Sequence, residues 1–237
     1  MSLSIIIPCK NEEKSIETTL IKIRKKIFNK IKDVEYILVN DFSSDSTLKI
    51  CRKLSKKYKN IIIKDNKTQG LGSAINLGVN VSKKKYVAIM MADLSDDPID
   101  LVKYYREITK NKFDAVFGSR FQKDSKLINY PLKKLIYNRI FNYLVKFIFL
   151  SDYNDFTNAF KIYKKSVFNE LKPLVSENFN IFLELPLKII VRKKKYKIIT
   201  ISWRNRKMGI SKFKVHELGS KYFFTLLYCF FEKILLR

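Results

Sequence analysis

The feature that constrains this chain most is an alternation, from residue 3 to about 118, of short β-branched runs with stretches of helical periodicity. The runs Leu3–Ile7, Val34–Val39, Ile61–Lys64, Tyr86–Met91 and Ala115–Gly118 are apolar almost throughout, as strands buried on both faces must be. Between the first two, Ile16, Leu20, Ile23 and Ile27 recur along one helical face, with Asn11 placed to cap the helix. Asp45 is placed to cap a second helix, buried through Cys51, Leu54 and Tyr58. A third is expected from near Gly70 and a fourth after Pro98, since proline suits a first turn. This order predicts a parallel sheet with crossover helices. Ligands of such sheets bind at the carboxyl edge. The polar residues that follow strand ends are therefore the functional candidates: Lys10, Asn11 and Glu12, then Asn40 and Asp41, then Asp93.

Beyond residue 120 the alternation loosens. A helix from about Leu132 to Leu150 carries a narrow polar stripe of Lys134, Asn138, Asn142 and Lys146, with apolar residues nearly everywhere else. The segment Glu217 to Leu236 repeats the design around Glu217, Lys221, Thr225 and Glu232. Such helices need two apolar partners, or one partner and a membrane surface. No stretch is long and apolar enough to span a bilayer, because Lys or Glu interrupts each candidate. The opening run Leu3 to Pro8 lacks the basic lead and length of a secretion signal and reads as a first strand.

The 48 Lys plus Arg against 22 Asp plus Glu leave a charge of +26, which favours phosphate-bearing partners: nucleic acid, anionic lipid or nucleotide. The lysines are spread through every segment, so charge alone does not choose among them. Three widely spaced cysteines, with no Cys-x-x-Cys, suggest neither a disulfide framework nor a zinc site. The one histidine, His216, reads as a surface residue; metal or acid–base chemistry falls to carboxylates. Asp93 by itself reads more often as a turn or cap residue than as a ligand. Yet Mg²⁺-like ions commonly take only one or two protein carboxylates, so a single Asp is sufficient.

Seven motifs in order change that weighting. Ser4-Ile-Ile-Ile-Pro-Cys-Lys-Asn-Glu-Glu13, Ile37-Leu-Val-Asn-Asp-Phe-Ser-Ser-Asp-Ser-Thr47, Gly70-Leu-Gly-Ser-Ala74, Ala92-Asp-Leu-Ser-Asp-Asp-Pro98 and Gly118-Ser-Arg-Phe121 resemble family-two glycosyltransferases. Asp155-Phe-Thr-Asn-Ala-Phe160 and Trp203-Arg-Asn-Arg-Lys-Met-Gly-Ile-Ser-Lys212 extend the likeness over nearly the whole chain, most closely to the dolichol-phosphate mannose synthase group. The resemblance implies a glycosyltransferase-A fold: a Rossmann-like, mostly parallel α/β sheet with flanking helices, here ending in an amphipathic helix. It implies a catalytic domain over residues 1–213, with 214–237 as the C-terminal apolar helix. It also implies an inverting transfer from a nucleotide-diphosphate sugar.

By position, Pro8, Lys10, Asn11 and Glu12 then line the nucleotide, Asn40 and Asp41 read base and ribose, and Arg120 lies near the donor phosphates or acceptor. Asp93 holds Mg²⁺ or Mn²⁺, and Asp155 is the carboxylate expected near the reacting centre, as base or as orienting group. Arg204, Arg206, Ser211 and Lys212 cluster beside Gly209, a composition suited to an acceptor phosphate. Glu184 is a second candidate carboxylate or a solvent-facing helix residue, and Trp203 is expected to pack. Two departures stand out: Met91 occupies the first position of the family's Asp-x-Asp, leaving Asp93 to bind the metal with Ser95, Asp96 or Asp97 helping through water, and Asn40 begins the motif where paired aspartates are usual.

The expected enzyme is a metal-dependent hexosyltransferase on the inner, cytoplasmic membrane face, peripheral to anionic lipid. Its acceptor is a polyprenyl phosphate or, alternatively, a growing lipid-linked or capsular glycan. The apolar helices serve membrane contact or a homodimer. A nucleic-acid module is disfavoured, because no aromatic-rich RNA motif or helix-turn-helix occurs.

Overall fold

The computed structural model describes residues 2–205 and 215–236. The elements in chain order are β1 (Ser2–Cys9), α1 (Ile16–Ile27), β2 (Asp33–Asn40), α2 (Thr47–Lys57), β3 (Ile61–Asp65), α3 (Leu71–Val81), β4 (Tyr86–Ile89) and α4 (Pro98–Lys110). There follow β5 (Ala115–Ser119), β6 (Leu127–Ile128), α5 (Leu132–Phe149), β7 (Lys161–Lys164), α6 (Lys165–Glu170), α7 (Ile181–Val191), β8 (Tyr196–Thr200), β9 (Trp203–Arg204) and α8 (Val215–Leu235). Seven strands form one sheet ordered β3-β2-β1-β4-β7-β5-β8, while β6 pairs with β9. Every pairing in the large sheet is parallel except those of β7, which runs antiparallel between β4 and β5.

Alternate residues of β1 point to opposite faces and build the two cores. Leu3, Ile5, Ile7 and Cys9 pack with Ile16, Leu20 and Ile23 of α1, Leu54 of α2 and Leu101 of α4. Ile6 faces the other layer, with Ala74 and Ile75 of α3, Val145 of α5, Leu183 and Leu187 of α7 and Leu226 of α8.

Helix entries show how local chemistry sets the edge loops. Asp97 caps α4 by accepting the Ile99 N–H at 3.0 Å, with Pro98 in the first turn. Asp45 accepts the Thr47 N–H at 2.9 Å as α2 begins. Asn11 does not cap α1, which starts at Ile16 after a turn closed by Ile16 N–H to the Glu12 carbonyl. Instead Asn11 adopts φ 50°, a conformation Asn tolerates, and its Oδ1 accepts the Ser44 N–H at 2.8 Å. The entry to α3 needs glycine twice: a Cβ on Gly70 or Gly72 would collide with the carbonyl of Glu177 or Ser176.

The helices α5 and α8 carry apolar residues on both faces and bury polar ones among them. In α5 the polar stripe turns inward at its middle: Lys134 is exposed, but Asn142 is 1 % exposed and its Oδ1 accepts the Phe156 N–H. Phe147 is 78 % exposed, and Leu132, Ile136, Tyr137 and Ile140 face outward with it. In α8, Thr225 is fully buried against Asn180, whereas Phe223, Phe224 and Phe231 are exposed. The two helices touch through Phe141–Tyr222 and Phe149–Phe230. No helix among the described residues is long and apolar enough to cross a membrane.

Candidate active site at the carboxyl edge

The parallel strands β2, β1 and β4 lie side by side, so the loops leaving them share one edge. Pro8 is buried in β1, and Lys10 stands half-exposed just past its end. The Asp41 N–H donates to the Cys9 carbonyl at 2.7 Å, tying the first loop to the second. Thr47 Oγ1 accepts the Glu12 N–H at 2.7 Å, and the Glu12 carboxylate accepts from Ser15. Asn40 donates to Asp65 at 2.8 Å, while Asp41 Oδ1 accepts from Asn66 and from the Gly70 N–H. The residues expected to line a nucleotide are therefore brought together, and the Gly70 loop joins them.

Asp93 follows β4 at this same edge, half-exposed, with Oδ1 accepting the Ser95 N–H at 3.0 Å. Ser95 Oγ and Asp96 Oδ1, both buried, have no hydrogen-bond partner among the described residues. Burial first, and then the charge of Asp93, push the Asp96 carboxyl up to about 7. Among the described residues there is no cluster of three His, Cys, Asp or Glu able to cage a metal alone. The donor set of Asp93, Ser95 and Asp96 is all oxygen and partly unsatisfied. It fits a hard cation that takes its remaining ligands from phosphate and water.

The antiparallel direction of β7 completes the edge. A strand running backwards begins where its neighbours end, so the residues before Lys161 lie beside the end of β5. Asp155 there meets Arg120: Nε and the backbone N–H donate to Oδ2 at 2.8 Å, and Nη2 to Oδ1 at 2.7 Å. Asp155 is fully buried and Arg120 7 % exposed. Burial opposes the guanidinium charge, yet the facing Asp155 carboxylate holds its pKa above the ordinary value. Lys161 is buried beneath this pair and donates to the Phe156 and Asn158 carbonyls. Burial lowers its amine to about 7 against the pull of Asp155.

On the acceptor side, Trp203 and Arg204 pair with Leu127 and Ile128. The Arg204 N–H donates to the Ser95 carbonyl at 2.9 Å, so this ribbon docks on the Asp93 loop. The Arg204 side chain is exposed, and Trp203 packs on Tyr130 with ring centroids 4.7 Å apart. Arg206, Ser211, Lys212 and the side chain of His216 lie outside the described residues. Glu184 is not a solvent-facing residue. It is fully buried, accepts the Val175 and Ser176 N–H groups and pairs with Lys188, which fixes the segment abutting Gly70 and Gly72. Sequence reasoning passed over Lys161 and the burial of Asp96. A lysine in the otherwise apolar Phe160–Tyr163 run was the available signal for the first.

With this geometry in view, the sequence pattern of glycosyl transferase family 2 matches residues 4–172. The chain belongs to that family. It is 28 % identical over 222 residues to a dolichol-phosphate mannosyltransferase of Pyrococcus furiosus, covering 90 % of this chain and 60 % of that protein. It is 25 % identical to a dodecaprenyl-phosphate galacturonate synthase of Rhizobium johnstonii, covering 91 % and 62 %. The chain thus spans only about 60 % of the length of these relatives. Glucosyl-3-phosphoglycerate synthase of Mycobacterium tuberculosis, solved with Mn²⁺, UDP and phosphoglyceric acid, superposes with TM-score 0.72 at 13 % identity, over 97 % of this chain and 78 % of that one. TarS 1–349 of S. aureus, solved with UDP-GlcNAc, gives 0.67 at 18 % identity, over 98 % and 66 %. The fold is glycosyltransferase-A, as the family resemblance implied.

Proposed function

We propose that this family-two enzyme moves a hexose from a nucleotide-diphosphate sugar to a polyprenyl phosphate lying in the cytoplasmic face of an anionic membrane. The observation that carries the reading is the contact between the Arg120 region and α5. The Arg120 guanidinium lies 5.8 Å from the Tyr130 ring, Arg139 of α5 lies 5.1 Å from the Phe121 ring, and the same helix turns its apolar side outward. An acceptor with a phosphate head and a hydrocarbon tail demands cationic groups beside an apolar surface. The relatives named for dolichol and dodecaprenyl phosphate support the same acceptor class.

On this reading Pro8, Lys10, Asn11, Glu12, Asn40 and Asp41 hold the nucleotide, and Asp93 holds Mg²⁺ or Mn²⁺ at the diphosphate. The cation, when bound, neutralises charge developing on the leaving group. Arg120 lies near the donor phosphates or the acceptor, and Arg204, Arg206, Ser211 and Lys212 receive the acceptor phosphate. Such a phosphate is already anionic and needs placing more than deprotonating. Asp155, with both oxygens engaged by Arg120, suits the role of positioning that guanidinium. A sugar-hydroxyl acceptor would need a free base instead, so the glycan-extending alternative stands second. Residues 1–213 form the catalytic unit, and 214–237 help seat it on the membrane.

The test is product analysis with labelled UDP-, GDP- and dTDP-hexoses, Mn²⁺ and polyprenyl phosphate in anionic liposomes. Label in a mild-acid-labile lipid monophosphate is expected, and label only in an oligosaccharide overturns the acceptor. Asp93→Ala should lower turnover by roughly 10²-fold, the loss typical of a principal electrostatic stabiliser. Full activity in a chelator removes the metal.

A further inference from the structure

We propose that Asp96 supplies the second protein carboxylate to the cation held by Asp93, in place of the one lost at Met91. This inference rests on the metal-dependent reading above. Met91 offers no oxygen where a carboxylate is usual, so a cation at Asp93 would otherwise have one anionic protein ligand. Asp96 is 6 % exposed, and its Oδ1 has no hydrogen-bond partner among the described residues. A desolvated carboxylate oxygen left unpaired is costly, and a bound cation offsets that cost.

Local geometry brings the two acids together. Leu94 takes φ 55°, and the Ser95 N–H turns back to Asp93 Oδ1, so the chain doubles over within four residues. Of the charges acting on Asp96, that of Asp93 is the strongest, ahead of Arg120 and Asp155. Pairing of Asp96 with Trp203 and of Ser95 with Arg204 holds the turn from the acceptor side. Buried Ser95 Oγ, also without a partner, adds a neutral oxygen to the same turn. Asp97 is different: it is exposed and committed to capping α4.

The test reads Mn²⁺ uptake by the full chain from the free-ion paramagnetic resonance signal, with and without added UDP or GDP. Asp96→Asn is expected to weaken Mn²⁺ binding by about 10-fold or more, in line with the effect of removing groups around metal sites. Asp97→Asn should leave it unchanged. Met91→Asp in the Asp96→Asn background should restore much of it.

Wild-type Mn²⁺ affinity in Asp96→Asn, alongside lost binding in Asp93→Asn, overturns the inference but spares the metal reading. It is also the outcome expected if the Asp96 carboxyl is simply kept protonated. Equal weakening by Asp97→Asn, or a loss that Met91→Asp does not restore in a protein that melts early, gives Asp96 a structural role and overturns the inference. No Mn²⁺ uptake by the wild type under either condition overturns both.

Discussion

Helices α1 and α2 expose mainly lysine on their outer faces, whereas α5 and α8 expose phenylalanine, leucine and tyrosine there. In α1 Ile16, Leu20, Ile23 and Ile27 face the sheet and the lysines face water. In α5 and α8 Asn142 and Thr225 take buried positions beside Val145, Phe149, Tyr222 and Leu226, while Phe147, Phe223, Phe224 and Phe231 face out. The hydrophobic effect fixes the first pair onto the sheet, since each buried aliphatic side chain contributes about 1.5–3 kcal/mol. It cannot hold the second pair by its outward faces, which form apolar surface of the kind that marks interaction sites. What attaches α5 and α8 to the protein is the apolar residues on their inner sides, together with polar latches: Asn142 to Phe156, Thr225 to Asn180, and Glu232 to Arg192.

The strongest attempt to break this contrast replaces the outward phenylalanines Phe147, Phe223, Phe224 and Phe231 with serine. At about 1.5 kcal/mol for each side chain withdrawn from an interface, anionic-liposome binding in sedimentation should fall by at least about 10²-fold. Thermal stability should hold, because exposed positions typically contribute within about 0.5 kcal/mol each. Unchanged liposome binding with a dimer turned to monomer by light scattering would assign the faces to self-association instead. Leu20→Ala is the converse: it should cost about 2–5 kcal/mol in urea unfolding and leave the liposome affinity of the folded protein alone. A smaller effect is expected at the latch. Asn142→Leu removes the acceptor of the buried Phe156 N–H and should cost about 1–3 kcal/mol, showing that a polar group on the inner side of α5, beside Val145 and Phe149, helps to hold the helix.

The same contrast explains what could be read from the sequence. The strands β1 to β5 and helices α1 to α4 announce themselves because one hydrophobic period maps onto one buried face. The polar stripe of α5 was visible too, but a stripe does not say which side is solvent, so the burial of Asn142 came only with the fold. β7 stayed hidden because its four residues begin and end in lysine, and a short run with polar ends reads as loop. With β7 unseen, the ion pair between Arg120 and Asp155, 35 residues apart, could not be inferred from spacing. Asp93, Asn40 and Asp41 were legible because strand ends are where an α/β sheet meets ligands. Asp96 could be read only as one of three residues able to help through water, because burial without a partner is something no local pattern encodes.

Lys161 gives the subtlest test of how polar groups are used inside this protein. Its amine, held at about 7 chiefly by burial, binds fewer protons in the folded chain than in the unfolded one between that pH and the ordinary lysine value of 10.5. Stability should therefore gain a contribution from this group as pH rises through that window, and lose it as pH falls back through about 7. The slope is at most about 1.4 kcal/mol per pH unit. Other groups titrate in the same range, so the measurement is a difference: urea unfolding of wild type and Lys161→Met at pH 7, 8 and 9. The wild type should gain on the variant as pH rises. Parallel curves would mean that the amine keeps its charge in the fold, paired with Asp155 and so part of the electrostatics of Arg120 rather than a neutral donor to the Phe156 and Asn158 carbonyls.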